Sequence, residues 1–155
     1  MVIYVDMDGV LAKWNTEATL ADTQQRGYFA AREPEEKMVS LVKTLRKLGV
    51  NVCILSAVYM NGYAAEEKNE WLNRVFDKSL ERIFIPYGEC KADYIASGSD
   101  SYLIDDYTEN LRQWENAGSN AVKFYNGING TKGTWKGKSI NRDMTVGEMI
   151  ETLAG

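Results

Sequence analysis

Short apolar, β-prone runs recur along the chain at residues 2–5, 50–55, 82–85, 102–104 and 121–125, each set off from the next by a helical or polar stretch. Runs of this kind without polar alternation read as strands buried on both faces. Between the first two, Met38, Leu41, Val42, Leu45 and Leu48 fall at helical spacing ahead of Gly49. Pro34 supplies that helix's start, and Glu35 and Glu36 suit the positive end of its dipole. Residues 64–76 read as a second helix with an apolar patch at Trp71, Leu72, Val75 and Phe76, and residues 91–96 as a short one. Residues 97–99 read as a turn, residues 108–117 as a helix closed by Gly118, and residues 126–137 as a Gly/Asn-rich loop. The last helix is expected from Thr145, whose spacing to Glu148 fits a capping box. Strands alternating with helices require right-handed βαβ crossovers, so the predicted class is α/β, a three-layer parallel sheet flanked by helices.

At 155 residues the chain has room for one ordinary domain, read here as 1–155. Residues 11–33 break the alternation: they are mixed and polar, hold Trp14, Tyr28 and Phe29, and read as a small cap insert over the sheet edge. The formal charge of -4 argues against a nucleic-acid polymer as partner, because backbone binding needs clustered Lys and Arg. No stretch approaches the roughly 20 apolar residues of a membrane span, so no membrane partner is expected and a cytoplasmic address follows. Cys53 and Cys90 have no close pairing and read as buried or neutral thiols. With no histidine in the chain, His-based zinc sites, Ser-His-Asp triads and phosphohistidine chemistry are excluded.

The polar residues that follow the strands carry the chemistry. Asp6 and Asp8 follow the first, Ser56 the second, Lys91 lies beyond the third, and Asp105 and Asp106 follow the fourth. In an open parallel sheet the carboxyl ends of the strands share one side, and ligands gather there. A nucleophile, a hydroxyl, a cation and further carboxylates would therefore meet around one crevice. Carboxylates with water and phosphate oxygens form the octahedral shell that magnesium prefers, and Asp6 and Asp105 would supply them.

The motifs Asp6-Met7-Asp8-Gly9-Val10, Ile54-Leu55-Ser56-Ala57, Cys90-Lys91 and Leu103-Ile104-Asp105-Asp106 resemble, in order and surroundings, those of the haloacid dehalogenase (HAD) superfamily of phosphatases. The resemblance runs from Val2 to about Phe124. It implies a HAD-like Rossmannoid fold and phosphomonoester hydrolysis with Mg2+. Asp6 would be the nucleophile that forms an aspartyl-phosphate, and Asp8 the acid-base group whose backbone carbonyl is a further metal ligand. Ser56 and Lys91 would bind phosphate, and Asp106 would hold a metal-bound water or orient Lys91.

The insert after the first motif, the run Gly27-Tyr28-Phe29 ahead of Pro34, and Asp105-Asp106-Tyr107 resemble the 5'(3')-deoxyribonucleotidase branch. That likeness implies a nucleoside monophosphate as substrate, with the insert as its lid. Trp14, Tyr28 and Phe29 would stack the base or else pack the insert on the sheet domain. Tyr59, Tyr63 and Tyr107 follow motif strands and are candidates for the same crevice. Lys132, Lys136 and Lys138 either attract an anionic substrate or form a solvated face. Another small phosphometabolite, such as a sugar phosphate, is the alternative substrate; a non-catalytic binding protein on the same fold is the alternative of a different class.

Overall fold

The computed structural model of the chain describes every residue except Asn61, Ser97, Ser99, Thr131 and Lys132. The two serines of the expected 97–99 turn, and Lys132, thus lie outside the described residues. Strands β1 (Val2–Val5), β2 (Asn51–Val58), β3 (Glu81–Pro86), β4 (Ser101–Asp105), β5 (Asn120–Tyr125) and β6 (Lys138–Asn141) form one sheet in the order β3-β2-β1-β4-β5-β6. Every neighbouring pair is parallel. The chain winds outward in one direction through β2 and β3 and in the other through β5 and β6. The boundary of β1 and β4 is therefore the switch point where such sheets open a crevice.

The helices are α1 (Leu20–Thr23), α2 (Glu36–Lys47), α3 (Ala64–Val75), α4 (Thr108–Asn116) and α5 (Val146–Ala154), and Lys91–Tyr94 forms one turn of 3-10 helix where a short helix was expected. Successive strand residues point to opposite faces, and the two cores follow that alternation. Ile3 and Val5 pack with Met38, Leu41 and Val42 of α2, Trp71 and Leu72 of α3, and Met149 and Leu153 of α5. Tyr4 and Leu103 pack on the other face with Leu111 and Trp114 of α4, the Tyr4 and Trp114 rings meeting edge-on at 5.4 Å. The predicted three layers are present.

Local differences from the sequence reading have physical causes. β2 does not end at Ser56 but continues to Val58, because β3 pairs with it as far as Val58 opposite Pro86. Pro34 does not open α2: it bridges to Ala12, and Glu35 is held by its N–H to Leu11 O, so the helix starts at Glu36. β6 was not expected; Ile140 is its one apolar residue, and pairing with β5 rather than composition makes it a strand. At Thr145 the capping box forms as expected, the hydroxyl accepting from Glu148 N while the Glu148 carboxylate accepts from Thr145 N. Among the described residues no helix is long and apolar enough to cross a membrane.

Candidate active site

β1 hands the chain to Asp6 while it is still in the sheet: Asp6 N donates to Ile104 O at 2.9 Å. β4, its neighbour, ends at Asp105, so the two carboxylates meet at the switch point. Lys91, only 3% exposed, reaches between them from the 3-10 turn, its Nζ 2.7 Å from Asp6 Oδ1 and 2.7 Å from Asp105 Oδ2. Asp105 also accepts from Tyr107 N and from Asn110 Nδ2, both at 2.9 Å. Lys91 is thus oriented by Asp105 and not by Asp106. Asp106 accepts at Oδ2 from Asn126 (2.9 Å) and Asn129 (2.5 Å).

One oxygen each from Asp6, Asp105 and Asp106 lies within 4.8 Å of the others, and all three residues are buried. Burial pushes the Asp6 carboxyl above the ordinary carboxylate range; Lys91 opposes this, and the neighbouring carboxylates reinforce it. Asp106 is raised by burial and by Asp105. Burial alone would lower the Lys91 ammonium, but Asp105 and Asp6 outweigh it and raise its pKa. Even with the buried Lys123, whose Nζ donates to Asp106 O at 2.6 Å, counted beside Lys91, three carboxylates against two ammoniums leave uncompensated negative charge in a poorly solvated place. All-oxygen donors at this spacing fit a hard divalent cation, and magnesium takes such carboxylates together with water and phosphate.

Beyond Asp6 the chain turns tightly, with Met7 O accepting from Val10, Leu11 and Ala12. Gly9 takes φ +79° in this turn, a conformation open to glycine. Asn126 buttresses it by donating to Gly9 O as well as to Asp106. The sequence reading assigned residues 126–137 only to a loop and missed this contact, for which Asn-Gly turn chemistry gives no signal.

Asp8 retains 23% side-chain exposure and meets a second buried cation. Lys68 of α3 donates to Asp8 Oδ2 at 2.6 Å, to Ser56 Oγ at 3.0 Å and to Ala57 O at 2.9 Å. Lys68 escaped the sequence reading because it sits in a charged run, Glu66-Glu67-Lys68-Asn69-Glu70. A signal was available: Ala64, Glu67, Lys68, Trp71 and Leu72 occupy the buried stripe of the helix, so two charges stand where apolar residues belong. Ser56 is fully buried against this lysine and does not line the crevice.

The crevice has a volume of about 590 Å³. Asp6, Asp8, Lys91, Asp105 and Asp106 line it with Trp14, Tyr87, Tyr107 and Ile128. A side pocket of about 170 Å³ shares Asp8, Trp14 and Tyr87 and adds Phe29, Tyr59 and Lys68. Of the three insert aromatics, Trp14 therefore faces the crevice and Phe29 the side pocket. Tyr28, 8% exposed, lines neither and packs with Phe29, Val58 and Ala64. Tyr63, Lys136 and Lys138 are likewise away from both cavities.

The insert is fastened to α3 rather than lying loosely over the sheet. Glu67 accepts from Gly27 N (3.0 Å) and Ala30 N (3.2 Å). Trp71 Nε1 donates to Arg32 O at 2.7 Å, and Arg74 donates to Ala30 O at 2.9 Å. Each bond satisfies backbone that would otherwise need water.

No protein family and no curated protein matches the chain by sequence. Solved structures match it by shape. The D,D-heptose 1,7-bisphosphate phosphatase from Burkholderia thailandensis superposes with a TM-score of 0.69 over 99% of both chains at 10% identity. The same enzyme from B. bronchiseptica, complexed with magnesium and phosphate, gives 0.64 at 15% identity over 99% of this chain and 97% of that one. A HAD hydrolase, family IA, variant 3, from Entamoeba histolytica gives 0.63 at 12% identity over 99% of both. At these identities the likeness is one of architecture, and it agrees with the motif order: the chain has a HAD-like, Rossmann-type fold.

Proposed function

We propose that the chain is a Mg2+-dependent phosphomonoesterase of HAD type that works through an aspartyl-phosphate on Asp6. The observation that carries this reading is the placement of Asp6 and Asp105 on adjacent strand ends with Lys91 2.7 Å from each. The names of the structural neighbours support it, since two are phosphatases of a sugar bisphosphate and one was crystallised with magnesium and phosphate.

Asp6, Asp105 and Asp106 would hold the cation together with the Asp8 carbonyl, and the bound cation supplies charge neutralisation that lets a carboxylate approach phosphorus. The free oxygen of Asp6 forms a bond to phosphorus while the ester P–O bond breaks. The leaving oxygen keeps the electron pair and takes a proton from the Asp8 carboxyl. Water then attacks the aspartyl-phosphate, its proton passes to the Asp8 carboxylate, and the Asp6–phosphorus bond breaks to restore the enzyme. Ester and water become alcohol and inorganic phosphate. Lys91 balances the charge of Asp6 and of the transferred group, while Ser56, which accepts from Lys68 and lies outside the crevice lining, has no contact there with the phosphate.

The proposed substrate is a small ester, a nucleoside monophosphate first. Trp14, Tyr87 and Tyr107 on the crevice walls favour a planar leaving group, for which stacking is worth about 1–3 kcal/mol per base. A sugar phosphate is the second reading, favoured by the heptose bisphosphate phosphatases among the neighbours. Phosphate release is to be measured with magnesium over mononucleotides and sugar phosphates, with Asp6→Asn as the blank. Turnover of some ester well above that blank is expected; equal rates on every ester would refute the reading.

A further inference from the structure

Lys68 is 1% exposed, and the proposed reaction gives it no task. An ammonium has three N–H donors, and all three are committed here, to Asp8 Oδ2, Ser56 Oγ and Ala57 O. The Phe29 ring covers it, centroid 4.7 Å from Nζ. It has no free donor for a phosphate oxygen, and the ammonium that bonds Asp6 and Asp105 is that of Lys91. What it does reach is one oxygen of the carboxylate that faces the crevice.

From this geometry we infer that Lys68 is a positioning residue for Asp8. The inference rests on the proposed acid role of that carboxylate. With Oδ2 bound to a lysine that is itself fixed by β2 at Ser56 and Ala57, Asp8 keeps a single orientation. Its other oxygen, Oδ1, is the one left for proton transfer to the leaving group. A buried ion pair is a poor source of stability compared with apolar packing, so fixing a reacting group is the better account of a lysine in an apolar stripe. Proton transfer contributes typically about 10²–10⁴-fold and demands hydrogen-bond geometry, so a carboxylate free to rotate forfeits part of it.

The test exploits the leaving group. A 4-nitrophenolate departs without a proton; an alkoxide does not. The quantity read is the ratio of kcat/KM for 4-nitrophenyl phosphate to kcat/KM for the best alkyl ester of the phosphate-release panel. Asp8→Asn is expected to raise this ratio by about 100-fold or more, and Lys68→Met by about 10–100-fold. In the double variant the ratio should stay where Asp8→Asn alone puts it, because Lys68 acts through Asp8. If Lys68→Met lowers both esters by one factor while Asp8→Asn shifts the ratio, Lys68 is structural and the inference fails. Multiplying shifts in the double variant would overturn it too. An unmoved ratio in Asp8→Asn would remove the acid role and this inference with it, whereas a parent no faster than Asp6→Asn on either ester would remove the phosphatase reading itself. Should Lys68→Met fail to melt cooperatively, Lys68→Arg, which keeps the charge but displaces the donor, is read by the same ratio.

Discussion

A β-carbon built on Gly9 would lie 2.6 Å from Oδ2 of Asp106, inside any permitted contact. The turn that carries Asp8 is packed directly on the acidic cluster, and it does so at φ +79°. Gly9→Ala therefore suffers twice. Backbone strain of about 1–3 kcal/mol adds to a displacement of Asp106 from its two asparagine donors. The expected outcome is a lowered melting temperature and a loss of phosphate release greater than that of Gly127→Ala. Gly127 shares a positive φ of 85° but has open space around it. Equal losses in the two variants would show that contact with Asp106 is immaterial.

Magnesium should stabilise the folded chain, since Asp6, Asp105 and Asp106 come together only in it. A ligand at 100 times its dissociation constant adds about 2.7 kcal/mol. For a chain of this size that corresponds to a rise in Tm of roughly 5–10 °C. Chelation should reverse the rise, and Asp106→Asn should shrink it. Superimposable melting curves with and without magnesium would rule the cluster out as a cation site.

The two thiols should differ sharply in reactivity. Cys53 is 3% exposed within β2, and burial pushes its thiol up to about 11, with Glu81 adding to the shift. Cys90 is partly exposed. Because the thiolate is the reacting form, iodoacetamide near neutral pH should modify Cys90 and leave Cys53 intact until the chain unfolds. Mass spectrometry of the native, alkylated chain checks this, and early labelling of Cys53 would contradict it.

Asp77 links the end of α3 to α2. It receives both Arg46 guanidinium nitrogens, at 3.0 and 3.1 Å, and the Ser79 hydroxyl and amide. Hydrogen bonds from Arg46 foremost, then from Ser79, hold its carboxyl well below the usual range. A depressed carboxylate contributes stability above its unfolded pKa, about 3.9, and loses it as pH falls toward the folded value. Asp77→Asn should accordingly melt below the parent at neutral pH, with the gap narrowing as pH drops under about 4. A gap independent of pH would assign the effect to packing.

Much of the site was legible because its chemistry sits where strands stop. Asp6, Asp8 and Asp105 stand next to apolar runs that have one structural reading, so their convergence followed from topology. Lys68 and Asn126 were not legible in that way. Their roles depend on which partner lies across the fold: Lys68 contacts a residue 60 positions away, and Asn126 one 117 positions away. β6 was hidden for the opposite reason, because Lys138, Ser139 and Asn141 are polar and the edge of a sheet asks for little burial. Tyr28 and Phe29 were read from residue type alone, which does not distinguish a stacking face from a packing one.

The bonds from Glu67, Trp71 and Arg74 to residues 27–32 give the molecule an asymmetric doorway. One jamb, carrying Trp14 and Phe29, travels with α3 and hence with the sheet. The other is made of Tyr107, at the start of α4, and Ile128, in the loop after β5. Access and departure then need no large swing of the insert, so the pace of turnover should follow chemistry and dissociation rather than opening. Alterations of taste for one ester over another are easiest to achieve at this second jamb, where Tyr107 and Ile128 are held through their backbone amides and a side chain can change without disturbing the hydrogen bonds that keep Asp8 in place.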